Sequence, residues 1–378
     1  MENPRFYFAP ETRSFPVQVS AEVLDFHQKL PGYRATPLVS APTLARSLDV
    51  KQVWVKDEQN RLGLPAYKIL GASWATYKEL ETHFGPFEAW ETLSELAKQL
   101  KPHLPVTLIA ATDGNHGRAV ARMAYWLGLQ AKILVPADMV PSRREAIVSE
   151  GAVLEVIDGS YDEAVERAAQ QASDRHLVIS DTSWEGYTRV PAWVVEGYST
   201  IFQEVDSQLQ DLQATVPDLV AVQMGVGSLA SAVVQHCCTP GRKTKVVGVE
   251  PLAADCVLQS LLQGTLTEVP GPHHSIMAGL NCGNTSPLAW PYLQGGLQAA
   301  VAVADEGAQN AMRLLAKDGI ISGESGAAGA AGLLALLTGA QAETRREKLG
   351  ITRDSTLLVV STEGATDPEN YQRIVAGI

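Results

Sequence analysis

The stretch "VTLIAATDGNHGRAV" (residues 106–120) joins an apolar run to a turn with two glycines, after which a helix-like pattern follows. The run is apolar on both faces, which is typical of a strand buried between two helical layers. The turn contains Asp113, Asn115 and His116. In open α/β sheets, ligands bind beyond the carboxyl ends of the strands, where strand gives way to helix. The stretch therefore predicts a parallel sheet and, at its edge, a binding loop.

Seven further apolar runs, separated by amphipathic segments, continue this pattern along the chain. They lie at residues 131–136, 152–157, 176–180, 218–224, 245–250, 299–305 and 355–361. Short buried strands that alternate with helices predict an α/β protein with doubly wound sheets, two in number. We predict a large cofactor-binding domain formed by residues 1–79 and 191–378, and a small domain, residues 80–190, that carries the asparagine loop.

The composition and net charge of the chain restrict its possible binding partners and its location in the cell. The 378 residues are 46% hydrophobic and 19% charged, as in ordinary globular proteins. The net charge of −12 argues against nucleic acid and against an anionic membrane. No apolar run reaches the length of a membrane span, and the first residues lack the pattern of a signal peptide. Four cysteines do not make a disulfide framework, so the cytoplasm is the expected compartment.

Lys68, in "AYKILGAS", stands at the start of a helix-like run that extends to about Leu80. A cation at a helix start opposes the helix dipole, which favours the neutral amine. A partly desolvated neutral amine is the form that builds a Schiff base. A solvated surface lysine is the commoner alternative, so Lys68 alone decides nothing.

The asparagine loop combines an anion cradle with a carboxylate. Gly114 and Gly117 would let backbone amides approach a bound anion, and Asn115 suits a phenolic or carboxylate oxygen. Asp113 would repel that anion. It either caps the following helix or exchanges a proton in the reaction.

Two later junctions add complementary groups. In "QMGVGSLASAV", Gly225 and Gly227 precede Ser228 as a short phosphate cradle, with a tight turn as the alternative. In "LLVVSTEGATD", the hydroxyls of Ser361 and Thr362 could satisfy a neutral ring nitrogen or cap a helix. No dinucleotide or P-loop motif is present, and His273-His274 has no third ligand at a useful spacing, so no metal is expected.

The groups at these four sites, which are Lys68, the asparagine loop, the glycine loop and the terminal hydroxyls, fit one ligand. An aldehyde suits the lysine, a phosphate the glycines, a ring oxygen the asparagine and a ring nitrogen the terminal hydroxyls. Pyridoxal 5′-phosphate carries all four groups, so it is the predicted cofactor.

The motifs also resemble a known family. They are "FHQKLPGYRATPL", "VKDEQNRLGLPAYKILGAS", "TDGNHGR", "DTSWEGYTRVPAW", "SIMAGLNCG", "ISGESGA" and "STEGATD". Together they resemble the diaminopropionate ammonia-lyases, within the tryptophan-synthase-like, fold-type II family of pyridoxal-phosphate enzymes. The likeness extends from about Phe26 to Asp367. It implies two doubly wound α/β domains with the cofactor between them, and a homodimer.

The resemblance implies roles position by position. Lys68 is the Schiff-base lysine, and Asp113 and Asp181 are acidic catalytic groups near the substrate. Thr112 and His116 join them in substrate binding, and Glu324 lies in a matching motif. The implied cofactor-binding residues besides Lys68 are Asn115 at the ring oxygen, Gly225, Val226, Gly227 and Ser228 at the phosphate, and Ser361 with Thr362 at the ring nitrogen.

The implied reaction is elimination of ammonia from D- and L-2,3-diaminopropionate, which gives pyruvate and two ammonia. A serine/threonine dehydratase is the nearest alternative, but such relatives usually have a serine where this chain has Asp113. The third alternative is a catalytically silent binding or regulatory protein of the same fold. Such a protein would not need to retain Lys68, Asn115, the glycine loop and Ser361 together, so their presence argues against it.

Overall fold

The computed structural model describes residues 3–17, 21–112, 114–159 and 161–377. By packing, the chain forms two compact units. The first comprises Met1–Val19, Ala35–Asn60 and Ile201–Ile378, and the second comprises Ser20–Arg34 and Arg61–Thr200.

The second unit contains a four-stranded sheet with helices around it. Its strands are β4 (Thr107–Ala111), β5 (Gln130–Pro136), β6 (Val153–Ile157) and β7 (His176–Val178), and its helices are α1 (Ala21–Gln28), α3 (Ile69–Phe84), α4 (Leu93–Leu100), α5 (Asn115–Leu127), α6 (Pro141–Val148), α7 (Tyr161–Ala169) and α8 (Arg189–Gly197). The strand order is β6-β5-β4-β7, and every pair is parallel. The carboxyl ends of these strands therefore lie along one edge of the sheet.

The first unit contains a seven-stranded sheet. Its strands are β1 (Arg5–Phe8), β2 (Leu38–Ser40), β3 (Gln52–Asp57), β8 (Leu219–Gln223), β9 (Lys245–Pro251), β10 (Leu297–Val303) and β11 (Thr356–Ser361). Its helices are α2 (Pro42–Ser47), α10 (Ser228–Cys237), α11 (Cys256–Gln263), α12 (Trp290–Gly296), α13 (Asp305–Lys317), α14 (Ala328–Leu337), α15 (Ala342–Leu349) and α16 (Pro368–Ala376), and α9 (Ser199–Asp211) leads into it from the second unit. The order is β1-β10-β9-β8-β11-β3-β2, with antiparallel strands only at the two edges.

Helix α14 shows how the core of the first unit is packed. Its sequence, AGAAGLLALL, is apolar on all sides, which is typical of a helix buried on all sides. A Cβ atom on Gly332 would lie 2.4 Å from Cγ2 of Val249 on β9. The small residues of α14 thus allow the helix to pack directly on the sheet.

The predicted fold class is confirmed, and each of the eight apolar runs overlaps a strand, β4 to β11 in chain order. The prediction missed the three remaining strands. β1 and β2 are four and three residues long and lie at sheet edges, so they lack the buried apolar run that marks a central strand. β3 is central, but it ends in Lys56 and Asp57, which are charged residues buried by specific partners.

The predicted domains and the two packing units assign some residues differently. The predicted small domain starts at residue 80, within α3, whereas all of α3 packs in the second unit together with α8. Residues 61–79 and 191–200 therefore accompany the four-stranded sheet. The domain boundaries remain a prediction.

Within the described parts of the chain, every helix is too short or too polar to cross a bilayer.

Candidate active site

Lys68 and Asp181 form a buried ion pair in the second unit. Lys68 immediately precedes α3, and its Nζ lies 2.6 Å from Oδ2 of Asp181. The Tyr161 hydroxyl donates to the other carboxylate oxygen, Oδ1, over 3.3 Å. The lysine side chain is 18% exposed and that of the aspartate 7%. The structure thus brings together two residues that are 113 positions apart in the sequence.

This pairing fixes the charges of both groups. Burial lowers the pKa of Lys68, but the Asp181 carboxylate outweighs burial and holds that pKa well above its usual range. Burial likewise raises the pKa of Asp181, and the positive charge of Lys68 outweighs it and holds that pKa well below its usual range. The prediction of a neutral lysine amine is therefore wrong for this arrangement. A full charge at hydrogen-bond distance is stronger than the partial charge of a helix start.

The turn before α5 is held by one threonine. Gly114 has φ 147° and ψ −76°, a region that favours glycine. Oγ1 of Thr112 accepts hydrogen bonds from the amides of Gly114 (2.9 Å) and Gly117 (3.0 Å). Thr112 therefore sets the shape of the turn, and Asn115 is the first residue of α5. Asp113 lies outside the described residues.

His116 extends the Lys68–Asp181 pair. It is buried, and its Nε2 donates to the carbonyl oxygen of Ile179 over 2.8 Å. Because a carbonyl only accepts, Nε2 carries the proton, and Nδ1 faces Oδ2 of Asp181 at 3.9 Å. The predicted residues Lys68, His116 and Asp181 therefore form one cluster.

Residues of the first unit pack closely around its glycine loop. Gly227 has φ 97°, and a Cβ there would lie 2.5 Å from Cδ1 of Leu293. A Cβ on Gly225 would lie 3.1 Å from Sγ of Cys282. Ser228 begins α10, and the amides of a first helical turn have no intrahelical acceptors. A helix start after a closely approached glycine loop fits a phosphate group.

The terminal hydroxyls lie at the carboxyl end of β11. Oγ of Ser361 donates to Oγ of Ser322 over 2.8 Å, and both residues are buried. A hydroxyl pair can reverse the direction of its hydrogen bond and carries no charge. It therefore fits a neutral ring nitrogen. Oγ1 of Thr362 accepts from Nε2 of Gln223 over 2.6 Å, and its own proton can still be donated to another acceptor.

Gln223 is a residue that the sequence analysis missed. It ends β8, two residues before Gly225, and its Nε2 also lies 3.0 Å from the carbonyl oxygen of Ser325. It connects the strand that leads into the glycine loop with the segment that follows β11. A single amide in an otherwise apolar buried strand was the available signal, because such a group must find buried partners.

The structure also describes the remaining candidates, which are Glu324, the two cysteines Cys256 and Cys282, and a metal site. One carboxylate oxygen of Glu324, Oε1, accepts from the side-chain amide of Asn370. Cys256 and Cys282, which the sequence places in loop-like stretches, form no disulfide. Across the described ranges, no three His, Cys, Asp or Glu side chains are arranged to hold a metal ion.

The comparisons with known proteins agree with this site. A family model described as pyridoxal-phosphate dependent enzyme matches residues 29–360. The chain is 38% identical to a diaminopropionate ammonia-lyase of Escherichia coli (strain K12) over 383 residues, which cover 98% of this chain and 94% of the relative.

Two crystal structures of the diaminopropionate ammonia-lyase from Escherichia coli are also similar, each 34% identical and covering 99% of this chain and 97% of the solved one. The first contains an aminoacrylate-PLP azomethine reaction intermediate and aligns with a TM-score of 0.88. The second contains D-serine and aligns with a TM-score of 0.89.

Proposed function

Because the chain belongs to the family of pyridoxal-phosphate-dependent enzymes, we propose that it eliminates ammonia from 2,3-diaminopropionate and forms pyruvate and two ammonia. The likeness to diaminopropionate ammonia-lyase over 98% of the chain carries this proposal. The buried Lys68–Asp181 pair supports it, since both residues lie where the family resemblance expects acid–base groups.

Pyridoxal phosphate, when bound, supplies the electron sink that makes the α-proton of an amino acid removable. Lys68 is the residue proposed to carry it. The amides of Gly225, Val226, Gly227 and Ser228 are proposed to hold its phosphate, Asn115 its ring oxygen, and Ser361, with Thr362, its ring nitrogen. The start of α10 at Ser228 and the uncharged Ser361–Ser322 pair support these assignments.

The residues of the chain then move protons. The β-amino group leaves readily only when it is protonated, so a general acid is required. Asp181 raises the proton affinity of Lys68, which suits this amine to keep and deliver a proton. Asp113 is the second candidate acid or base. Carboxylates in the site would also bind a cationic β-amine, which a hydroxyl substrate lacks.

Substrate preference tests this proposal. The expected result is a far higher kcat/KM for diaminopropionate than for serine or threonine, because a desolvated carboxylate is left unpaired by a hydroxyl substrate. A side-by-side assay of pyruvate and 2-oxobutyrate formation measures this. If threonine is the best substrate, the chain is a dehydratase.

We also propose turnover of both enantiomers, a homodimer and a cytoplasmic location. The D-serine complex of the Escherichia coli enzyme supports access for D-amino acids. The family resemblance supports the dimer, which light scattering at micromolar concentration would detect. The four cysteines, none of which is in a disulfide, fit a reducing compartment.

A further inference from the structure

Asp181 follows an edge strand of the four-stranded sheet. That strand, β7, ends at Val178 and lies next to β4 at one end of the strand order. Beyond its end, the amide of Ile179 still donates to the carbonyl oxygen of Ile109 on β4 over 2.8 Å. Backbone groups of successive residues in a strand point to opposite sides. The carbonyl of Val178 and the amide of Ser180 therefore point to the outer side of the sheet, where an edge strand needs other partners.

The hydroxyl of Tyr187 satisfies both of these outer backbone groups. It donates to the carbonyl oxygen of Val178 over 2.6 Å and accepts from the amide of Ser180 over 3.2 Å. A further strand of the sheet would supply the same donor and the same acceptor. Burial raises the pKa of Tyr187 well above its usual range, so the hydroxyl keeps the proton that it donates. Tyr187 therefore fixes the direction of the backbone immediately before Asp181.

A tight turn holds the ring of Tyr187 in turn. The backbones of Trp184 and Tyr187 exchange two hydrogen bonds of 3.3 and 3.0 Å, and Gly186 between them has φ 81°, which favours glycine. The two rings stack with centroids 4.1 Å and planes 10° apart. Both pack against the apolar cluster that contains Ile109 and Val178. The hydroxyl is therefore placed by packed surroundings.

The segment held by Tyr187 carries two groups of the candidate site. The carbonyl oxygen of Ile179 accepts from Nε2 of His116 and so determines which nitrogen of that ring is protonated. Asp181, two residues further on, places Oδ2 2.6 Å from Nζ of Lys68. The attraction between these two charges falls as they separate and as water enters between them. A displacement of this segment would therefore weaken the hold of Asp181 on Lys68.

We propose that Tyr187 is a positioning residue, whose hydroxyl fixes residues 178–181 so that the carboxylate of Asp181 stays on the amine of Lys68. This inference rests on the proposed function, because the proposed reaction is what gives the Lys68–Asp181 pair its use. The motif "DTSWEGY" then has two parts. Its aspartate contacts the lysine, and its tyrosine, six residues later, positions the aspartate.

Tyr187→Phe is the direct test, because it keeps the stacked ring and removes only the hydroxyl. Acetic anhydride labels neutral amines, and mass spectrometry follows the labelling of Lys68 in full-length protein freed of cofactor. A displaced Asp181 stabilises the ammonium form of Lys68 less, so the pKa of Lys68 falls and more of the amine is neutral. At about pH 9 we expect labelling about three- to tenfold faster than in the unchanged chain, since one pKa unit is a factor of ten.

A double-mutant cycle separates the position of Asp181 from access of the reagent. In an Asp181→Asn background the negative charge is absent, so adding Tyr187→Phe should change the labelling of Lys68 by less than about twofold. A more accessible lysine would be labelled faster in both backgrounds. The matched control is Tyr77→Phe, which removes another bonded hydroxyl of the second unit and should leave labelling unchanged; this hydroxyl donates to Oε1 of Glu81 over 3.2 Å.

The outcomes separate the two proposals. Tyr187→Phe should lower Tm in any case, because two backbone groups lose a partner. A lower Tm with unchanged labelling of Lys68, or faster labelling that persists in the Asp181→Asn background, would overturn the positioning role. If labelling changes as expected but diaminopropionate is not a substrate of the unchanged chain, the role of Tyr187 stands and the proposed function fails.

Discussion

At the scale of single residues, the site depends on how each charge is balanced. Lys68, Asp181 and His116 are far apart in sequence and meet in one buried cluster. The family resemblance implies roles for all three residues, whereas the junction motifs by themselves single out only Lys68. They could not predict the charge of Lys68, because it depends on a 2.6 Å distance to a residue on a distant loop.

Tyr198 and Gln223 show a different limit. Neither belongs to a junction motif, and each matters through contacts made by folding: Tyr198 through its packing on Gly71, and Gln223 through its bond to Thr362. Sequence alone indicates that Gln223 needs a partner, but it does not say which one.

Asp113 carries the sharpest prediction at this scale. One base reaches the α-proton of an amino acid from one side, so turnover of both enantiomers requires a second base on the other side. We expect Asp113→Asn to reduce kcat for the D-isomer by about two to four orders of magnitude and to affect the L-isomer far less. Steady-state kinetics with each enantiomer measure this, alongside a melting curve.

A helix-capping role for Asp113 gives the opposite pattern. Loss of a cap costs about 1 kcal/mol of stability and impairs both isomers alike. Equal losses for D- and L-diaminopropionate would therefore rule out Asp113 as the base for one face.

At the scale of elements, α3 and α8 are placed by glycines rather than by large side chains. We expect Gly71→Ala to lower the free energy of unfolding by about 1–3 kcal/mol, because the new Cβ would lie 2.6 Å from the Tyr198 ring. Gly307→Ala on α13 is the matched control. There the nearest atom would be Cβ of Val303 at 3.7 Å, so the helix should gain up to about 1 kcal/mol. Urea unfolding of both variants measures these changes in the free energy of unfolding. A Gly71→Ala variant more stable than the unchanged chain would contradict the prediction, because it would show that the two helices can move apart freely.

Helices α9 and α10 are joined by a charged contact that should depend on pH. Asp206 on α9 pairs with His236 of α10 at 3.3 Å and with Arg242. Burial raises the pKa of Asp206, but hydrogen bonds from His236 and Arg242 outweigh burial and lower it to about 2, from 3.8 in an unfolded chain.

Because the folded-state pKa of Asp206 is depressed, its contribution is complete above about pH 4 and is lost as pH falls towards about 2. The carboxylate is partly exposed, so we expect Asp206→Asn to cost only about 1 kcal/mol at pH 7, and about half of that at pH 3. Urea unfolding at both pH values measures this, with exposed Asp211→Asn on the same helix as control. An equal cost at both pH values would show that the charge of Asp206 is not responsible.

At the scale of the whole molecule, the hydrophobic pattern of the sequence predicts the fold more completely than it predicts the active site. The eight apolar runs became the eight strands β4 to β11, because parallel strands buried on both faces have a continuous apolar signature. The edge strands β1 and β2 lack that signature, since they pair antiparallel at sheet margins. The likeness to solved structures over 99% of the chain agrees with the class of fold that the runs predict.

The stoichiometry of the reaction tests the central proposal most directly. Elimination from diaminopropionate releases the β-amino group and then the α-amino group, so each pyruvate should appear with two ammonia. We expect a ratio of two for the purified holoenzyme, and no turnover for Lys68→Ala. Ammonia and pyruvate measured in the same reaction give this ratio. No pyruvate from diaminopropionate, together with one ammonia for each 2-oxobutyrate from threonine, would contradict the account.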